Sequence, residues 1–213
     1  MIQTDPKTAQ PDAVVFDIGN VLIRWQPEEQ YDQWIGPDRR RQMFGAVDLH
    51  AMNDRIDRGE GFRQVIDETA EANTDFRTEI LMWHDRWLDL AQPAISLSVK
   101  TLHALKARNV PVFALSNFGR ETFELAKTKF DFLSDFDRPY ISGHMGVIKP
   151  DARIYEMVEA DCGVTPDGLL FVDDRADNIA AAAQRGWRTH HFVSPEQWAD
   201  HIIGLGLIEG SDL

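Results

Sequence analysis

The chain contains very little cysteine and no long apolar runs. Cys162 is the only cysteine among 213 residues, so no disulfide can form within the chain, and this usage is typical of a reducing compartment. No apolar run approaches the roughly 20 residues that a membrane-spanning helix requires. The N-terminal residues 1–12 are polar and contain no apolar signal region. The sequence therefore predicts a cytoplasmic protein that does not engage membranes.

Basic residues are also scarce relative to acidic ones. The chain has 22 Lys and Arg against 35 Asp and Glu, which gives a formal net charge of −13. Nucleic-acid binding depends on clustered basic side chains that neutralise phosphates, so this balance argues against a nucleic-acid partner. A small anionic substrate stays compatible with it, because a bound cation can reverse the sign of the local electric field.

Apolar, β-prone segments alternate with helical ones along most of the chain. This alternation predicts an α/β protein with a doubly wound parallel sheet. Residues 25–92 contain no strongly β-like run, so we expect an all-helical cap inserted after the first strand into a core of residues 1–24 and 93–213. Strands are predicted near 14–16, 110–115, 138–142, 168–172 and 189–193. Helices are predicted at 27–35, 37–44, 47–57, 62–72, 74–90, 95–108, 120–129, 150–160, 178–185 and 195–203, with a loop at 143–146.

Three of the predicted strands end in polar residues, namely Asp17, the pair Ser116-Asn117 and the pair Asp173-Asp174. In parallel α/β sheets, ligands bind beyond the carboxyl ends of the strands. Lys149, at the start of a predicted helix, is a fourth candidate. Asp17 alone fits a turn cap and a reactive carboxylate equally well, whereas four such positions in this order indicate a reactive site.

These positions fall in motifs that resemble those of the haloacid dehalogenase (HAD) superfamily. The motifs are Phe16-Asp17-Ile18-Gly19-Asn20-Val21, Leu115-Ser116-Asn117, Lys149-Pro150 and Phe171-Val172-Asp173-Asp174. The resemblance covers residues 13–193 and implies a Rossmann-like core with a cap between the first two motifs. The Gly-Asn pair is most similar to a subgroup of bacterial sugar-phosphate phosphatases that includes an α-D-glucose-1-phosphate phosphatase. A Mg²⁺-dependent phosphatase acting on a small phosphorylated metabolite through an aspartyl-phosphate is thereby implied.

The resemblance also implies a role for each residue of the first three motifs. Asp17 is the nucleophile that attacks phosphorus. Ser116 donates to phosphate oxygens, and Lys149 neutralises those oxygens and keeps Asp17 ionised. Asn117 has two interpretations, as a contact to phosphate or substrate and as a residue that satisfies the turn.

The adjacent acids of the fourth motif predict a cation site. Two carboxylates at one strand end repel each other unless a cation joins them, and hard oxygen ligands suit Mg²⁺. The implied ligands are Asp17, the backbone carbonyl of Gly19 and Asp174. Asp173 is either a further direct ligand or a residue behind the ligands. Asn178 has two interpretations, as a residue that orients this group and as one that hydrogen-bonds at the start of the helix.

Gly19 is the departure from the superfamily pattern. Most phosphatases of the superfamily carry an Asp there as general acid and base, a role worth about 10²–10⁴-fold in rate. Glu60, on a turn of the cap, is one candidate replacement, although an exposed turn residue is the simpler interpretation. Trp83 and Trp87 are expected to lie in the core of the cap.

Two alternatives to the phosphatase hypothesis stay open. The 2-haloacid dehalogenases of the superfamily also lack the second Asp, but they need no metal and do not typically carry paired acids like Asp173 and Asp174. A HAD protein that binds a phosphometabolite without turnover is the other alternative. The apolar face of the cap fits both a monomer and a homodimer.

Overall fold

The computed structural model describes residues 10–213 as strands interleaved with helices. The strands are β1 (Ala13–Phe16), β2 (Ile23–Trp25), β3 (Ala91–Ala94), β4 (Val112–Ser116), β5 (Arg138–Ile141), β6 (Leu169–Asp173) and β7 (Arg188–His191). Residues 1–9, which belong to the predicted core segment 1–24 and to the polar N-terminal stretch, lie outside the described residues.

Strand β1 lies at the centre of a five-stranded parallel sheet with the order β5-β4-β1-β6-β7. Its register places Val15 beside Phe113 of β4 and beside Phe171 of β6. Val14 and Phe16 pack into one apolar cluster and Val15 into another, as expected when both faces of a parallel sheet are covered. The doubly wound parallel sheet is confirmed, and each of its strands lies within two residues of a predicted one.

Six helices between β2 and β3 form the predicted all-helical cap. They are α1 (Pro27–Ile35), α2 (Pro37–Ala46), α3 (Leu49–Asp57), α4 (Phe62–Ala72), α5 (Arg77–Asp85) and α6 (Trp87–Leu90). Prolines start α1 and α2, where a missing N–H leaves no hydrogen bond unmade. The Asp48 carboxylate caps α3 by accepting from the Ala51 N–H at 2.9 Å.

The core helices cover the two faces of the parallel sheet. They are α7 (Ser96–Ala107), α8 (Arg120–Lys127), α9 (Ser142–Met145), α10 (Ala152–Cys162), α11 (Ala176–Gln184) and α12 (Pro195–Gly204). Within residues 10–213, no helix has both the length and the apolar character that crossing a membrane requires.

Three predictions about elements are wrong. The single helix at 74–90 is instead a 3₁₀ turn (Thr74–Phe76) followed by α5 and α6, because the backbone leaves the helical region at Arg86. The loop at 143–146 is the short helix α9. Strands β2 and β3 were not predicted, because each is short and because β2 precedes the cap helices in the sequence while its antiparallel partner β3 follows them.

Candidate active site

Asp17 follows β1 at the carboxyl edge of the sheet and is almost completely buried. Its Oδ1 accepts three hydrogen bonds, from the Ser116 hydroxyl at 2.7 Å, the Ile18 N–H at 2.7 Å and the Lys149 ammonium at 3.0 Å. Among the described residues, Oδ2 accepts none. One oxygen of Asp17 is therefore held in place while the other is available for reaction.

Lys149 joins the first and last motifs through its buried ammonium group. Nζ lies 2.6 Å from Asp173 Oδ2, 3.0 Å from Asp17 Oδ1 and 2.8 Å from the Leu115 carbonyl oxygen. Burial favours the neutral amine, but the two carboxylates outweigh it and raise the pKa of Lys149 above its ordinary value. The lysine is therefore charged in the native protein.

Lys149 and burial act in opposite directions on the ionisation of Asp17. Lys149 does lower the pKa of Asp17, but burial has the larger effect and raises that pKa to about 7. The nearby carboxylates of Asp173 and Asp174 act in the same direction as burial. Full ionisation of Asp17 at neutral pH thus calls for a further positive charge.

The side chains of Asn117 and Ser116, which were predicted to contact phosphate, hydrogen-bond to other groups of the protein in this structure. The Asn117 side chain accepts from the Lys149 N–H at 2.7 Å and donates to the Lys149 carbonyl at 3.0 Å. The amide therefore holds the loop that carries the lysine, which agrees with its interpretation as a residue that satisfies the turn. The Ser116 hydroxyl donates to Asp17, so it orients the carboxylate in this state.

Asp173 and Asp174 differ sharply in their surroundings. Asp173 is fully buried and accepts from Lys149, from the Arg175 N–H at 2.7 Å and from the Asn178 amide at 3.0 Å. Asp174 is half-buried, and its Oδ2 accepts from Asn20 Nδ2 at 3.1 Å. Burial raises the pKa of Asp174, and the Asn20 hydrogen bond opposes that rise.

The residues at this edge fit a hard divalent cation. Asp17, Asp173 and Asp174 can each place one carboxylate oxygen within 4.8 Å of the others. Three acids therefore converge while one ammonium, that of Lys149, balances them. Asn178 Oδ1 is also buried beside them and accepts no hydrogen bond within the described part of the chain. All of these oxygens are ligands that suit Mg²⁺ or its bound water.

A cavity of about 290 Å³ opens above Asp17, between the core and the cap. Part of its lining, the aromatic wall, consists of Trp25, Trp83 and Trp87. The Trp25 ring contacts the rings of Trp83 and Trp87 at centroid distances of 5.8 and 5.9 Å. Another part of the lining, the polar wall, is provided by α3 and its residues are His50, Asn53, Asp54 and Asp57. Trp83 and Trp87 are buried as predicted, yet they also line this cavity.

Gly19 and Glu60 differ in their position relative to the cavity. Gly19 lines the cavity, and a Cβ built on it would meet no atom within 4 Å. Glu60 is turned away: its carboxylate binds Arg55 at 2.6 Å and is absent from the cavity lining. The hydrogen bonds from Arg55 also lower the pKa of Glu60, which makes it a poor proton donor. Glu60 therefore does not replace the missing acid.

The sequence reasoning missed two residues that the fold brings to this site. Asn20, with a φ of 54°, orients Asp174, and Asp57 lies on the polar wall. A signal for Asp57 was present, because the negative end of a helix dipole disfavours an acid in the last turn. Asn20 carried the ordinary signal of a turn residue with positive φ.

A parallel sheet of this order, with acidic side chains and a lysine at its carboxyl edge beside a helical cap, defines a capped α/β protein with a Rossmann-like core. The chain belongs to the haloacid dehalogenase-like hydrolase family, whose model matches residues 11–186.

The curated relatives include both phosphatases and dehalogenases. A D-ribitol-5-phosphate phosphatase of Bacteroides thetaiotaomicron is 27% identical over 93% of this chain and 98% of its own length. An (S)-2-haloacid dehalogenase of Pseudomonas fluorescens is 31% identical over 40% of this chain. Drimenol cyclase drtB of Aspergillus calidoustus is 25% identical over 87% of this chain. The matches span only 34% of the cyclase and 38% of the dehalogenase.

Solved structures agree on the fold. A HAD family enzyme of Bacteroides thetaiotaomicron, in a magnesium complex, superposes with a TM-score of 0.71 at 21% identity over 90% of this chain and 98% of that one. The L-2-haloacid dehalogenase of Xanthobacter autotrophicus, with chloropropionic acid covalently bound, gives 0.62 at 20% identity over 95% and 86%. At these identities, the likeness shows the shared fold.

Proposed function

We propose that this hydrolase is a Mg²⁺-dependent phosphatase that removes the phosphoryl group from a small polyol or sugar phosphate through an aspartyl-phosphate. The observation that carries the proposal is the convergence of Asp17, Lys149, Asp173 and Asp174 at one edge of the sheet. A dehalogenase attacks a neutral carbon and has no use for two further acids, Asp173 and Asp174, converging on its nucleophile. A doubly charged phosphate bound with a divalent cation gives these acids a function.

Each residue then has a specific task in the phosphatase. Asp17 Oδ2 attacks phosphorus, while Ser116 and Lys149 hold Oδ1 and so fix the angle of the carboxylate. The Lys149 ammonium also neutralises charge on the phosphoryl oxygens. The Asn117 amide keeps Lys149 within reach by binding both polar groups of its backbone.

Asp17, the Gly19 carbonyl and Asp174 would hold Mg²⁺, with Asp173 serving as a further ligand or as the counter-ion of Lys149. Bound Mg²⁺ supplies positive charge that polarises the phosphoryl group. The carboxylate of Asp174 is the more available of the pair, because Asp173 already accepts hydrogen bonds from Lys149, Arg175 and Asn178. Asn20 keeps Asp174 turned toward Asp17 by donating to it.

The two walls of the cavity indicate a small polyol as the organic part of the substrate. Aromatic rings pack against the C–H face of a sugar or polyol, and the aromatic wall offers three of them. Asn53 and His50 on the polar wall can pair with hydroxyl groups. A volume of about 290 Å³ suits a short phosphorylated metabolite. The relative that acts on D-ribitol 5-phosphate has this chemistry.

We also propose that the cap comprises residues 25–92 and the core residues 1–24 and 93–213. The antiparallel ribbon of β2 and β3, in which Ile23 pairs with Ala94, lies at both ends of the cap. Two short strands are the only covalent connections between the two parts within residues 10–213. The substrate cavity lies between cap and core, so the cap is where we expect specificity to be decided.

A substrate panel with and without Mg²⁺ tests the proposal. We expect phosphate release from pentitol, pentose and hexose phosphates that requires Mg²⁺ and stops with EDTA. Asp17→Asn should abolish release, while Asp161→Asn, an exposed acid far from the cavity, should not change it.

Dehalogenation is the competing function, and the missing acid at Gly19 and the partial match to a dehalogenase favour testing it directly. Chloride release from 2-chloropropionate that needs no metal, without phosphate release from any ester, would refute the phosphatase proposal. Binding of sugar phosphates without turnover of either class would instead indicate a protein that only binds them.

A further inference from the structure

Gly19 leaves the proposed phosphatase without the proton donor that most members of its superfamily have beside the nucleophile. When the P–O bond of an alkyl phosphate breaks, the leaving alkoxide must be protonated, and a positioned acid accelerates such a step by about 10²–10⁴-fold. We infer that Asp57 of the cap is the general acid and base of this active site. This inference rests on the proposed phosphatase function and adds the residue that completes its reaction.

The position of Asp57 is the first support. Asp57 is the last residue of α3, it is only 8% exposed, and it lines the same cavity as Asp17. An acid at the C-terminal end of a helix meets the negative end of the helix dipole. Helix stability therefore gives no reason for an aspartate at this position, whereas a role in the cavity that Asp17 also lines does.

The end of α3 is held tightly on the core. The Ser142 hydroxyl donates to the Asp57 carbonyl at 2.6 Å and accepts from the Phe118 N–H at 2.9 Å, which ties the cap to the loop after β4. Gly119 permits the contact, because a Cβ there would lie 2.6 Å from Ile56 Cγ2. The backbone of Asp57 is thus fixed relative to the strand ends that carry Asp17 and Ser116.

A second glycine contact lies just beyond Asp57. Gly59 has a φ of +96°, and a Cβ on it would collide with the carbonyl oxygen of Gly143. The Arg120 guanidinium also donates to the Gly59 carbonyl. Contacts on both sides of Asp57 therefore hold this turn of the cap against the core, beside the cavity that Asp17 also lines.

The surroundings of Asp57 suit a group that gives and takes a proton near neutral pH. Burial raises the pKa of Asp57 to about 8, and the charges of Asp54 and Asp17 add to this rise. The Gly119 N–H and Arg58 act in the opposite direction. Asn53 Nδ2 donates to Asp57 Oδ2 at 2.8 Å and so orients the carboxyl group.

The two half-reactions balance with this assignment. In the first, Asp17 Oδ2 forms a bond to phosphorus, the bond from phosphorus to the ester oxygen breaks, and protonated Asp57 gives its proton to that oxygen. In the second, ionised Asp57 takes a proton from water as the water oxygen attacks phosphorus. The bond to Asp17 then breaks, which releases inorganic phosphate and returns both residues to their starting states.

Comparing esters with different leaving groups tests the role of Asp57. In Asp57→Asn, we expect kcat for an alkyl phosphate such as ribitol 5-phosphate to fall about 10²–10⁴-fold, because the alkoxide needs a proton. Formation of the aspartyl-phosphate from p-nitrophenyl phosphate, measured as the burst of p-nitrophenol, should fall by less than about tenfold, because p-nitrophenolate leaves unprotonated. The decline of wild-type kcat above about pH 8 should disappear in the variant.

Glu60→Gln is the matched control, since it makes the same acid-to-amide change on the same turn outside the cavity. We expect Glu60→Gln to leave the rates with both esters and the pH profile unchanged. Equal losses for both esters in Asp57→Asn, or a loss of less than about threefold for the alkyl ester, would overturn the inference while the phosphatase function stands. No phosphate release by the wild-type protein from any ester would overturn both.

Discussion

At the scale of single residues, position 19 is where this chain departs most from its superfamily, and the structure has room there for the missing aspartate. A Cβ at Gly19 would contact nothing within 4 Å, and the backbone there is not in the left-handed region. An aspartate can therefore be introduced without backbone strain. Its carboxyl group would lie next to Asp17, where most superfamily members carry their proton donor.

We predict that Gly19→Asp restores activity to the Asp57→Asn variant. Turnover of alkyl phosphates should rise by at least about tenfold over Asp57→Asn alone, because a proton donor is again present beside the nucleophile. The measurement is kcat for ribitol 5-phosphate in both variants. Gly19→Asn in the same background has a similar size but no proton to give, and it should not restore activity. Equal recovery with either residue would contradict this account of position 19.

The residues that the sequence identified differ from Asp57, which it missed, in how they reach the site. Asp17, Ser116 and Asp173 lie at or just beyond the ends of neighbouring parallel strands, so their meeting follows from strand order alone. Lys149 was identified from the Lys149-Pro150 motif. Asp57 arrives through the packing of the cap on the core, which no local pattern encodes, and the more conspicuous Glu60 was therefore chosen in its place.

At the scale of elements, the end of α3 is positioned by close approach to glycines of the core and by side-chain hydrogen bonds to its backbone carbonyls. We predict that Gly119→Ala destabilises the protein by about 1–3 kcal/mol, because the new methyl group would overlap Ile56 and have to displace α3. The same displacement should lower kcat for alkyl phosphates by moving Asp57. Urea unfolding and steady-state kinetics measure the two effects.

Gly45→Ala is the control for this prediction. Gly45 lies exposed in α2, where a Cβ meets no atom within 4 Å, so alanine should stabilise the helix by about 0.5–1 kcal/mol without changing kcat. If Gly119→Ala behaved like Gly45→Ala, the contact between α3 and the core would not be what fixes the position of Asp57.

Elements with a strong local pattern were predicted well, and those without one were not. Helix α4 matches its predicted bounds because Phe62, Val65 and Ile66 form a clear apolar face. The ribbon of β2 and β3 has no such pattern, since it is stabilised by pairing between segments that the whole cap separates. Helix α9 is one turn long, and only its packing against the end of α3 distinguishes it from a loop.

At the scale of the whole molecule, the buried acid has a consequence for stability that can be separated from activity. Between pH 4 and pH 8 native Asp57 holds a proton that the unfolded chain has lost, so the free energy of unfolding falls as pH rises through this window, by up to about 1.4 kcal/mol per pH unit. We predict that Asp57→Asn reduces this slope and is more stable than wild type at pH 8, but not at pH 4. Urea unfolding from pH 4 to 9 in EDTA measures how the free energy of unfolding depends on pH.

The control variant Glu60→Gln should not reduce the slope, because the pKa of Glu60 in the native protein is lowered rather than raised. Identical slopes in Asp57→Asn and wild type would mean that Asp57 is ionised throughout and cannot serve as the acid.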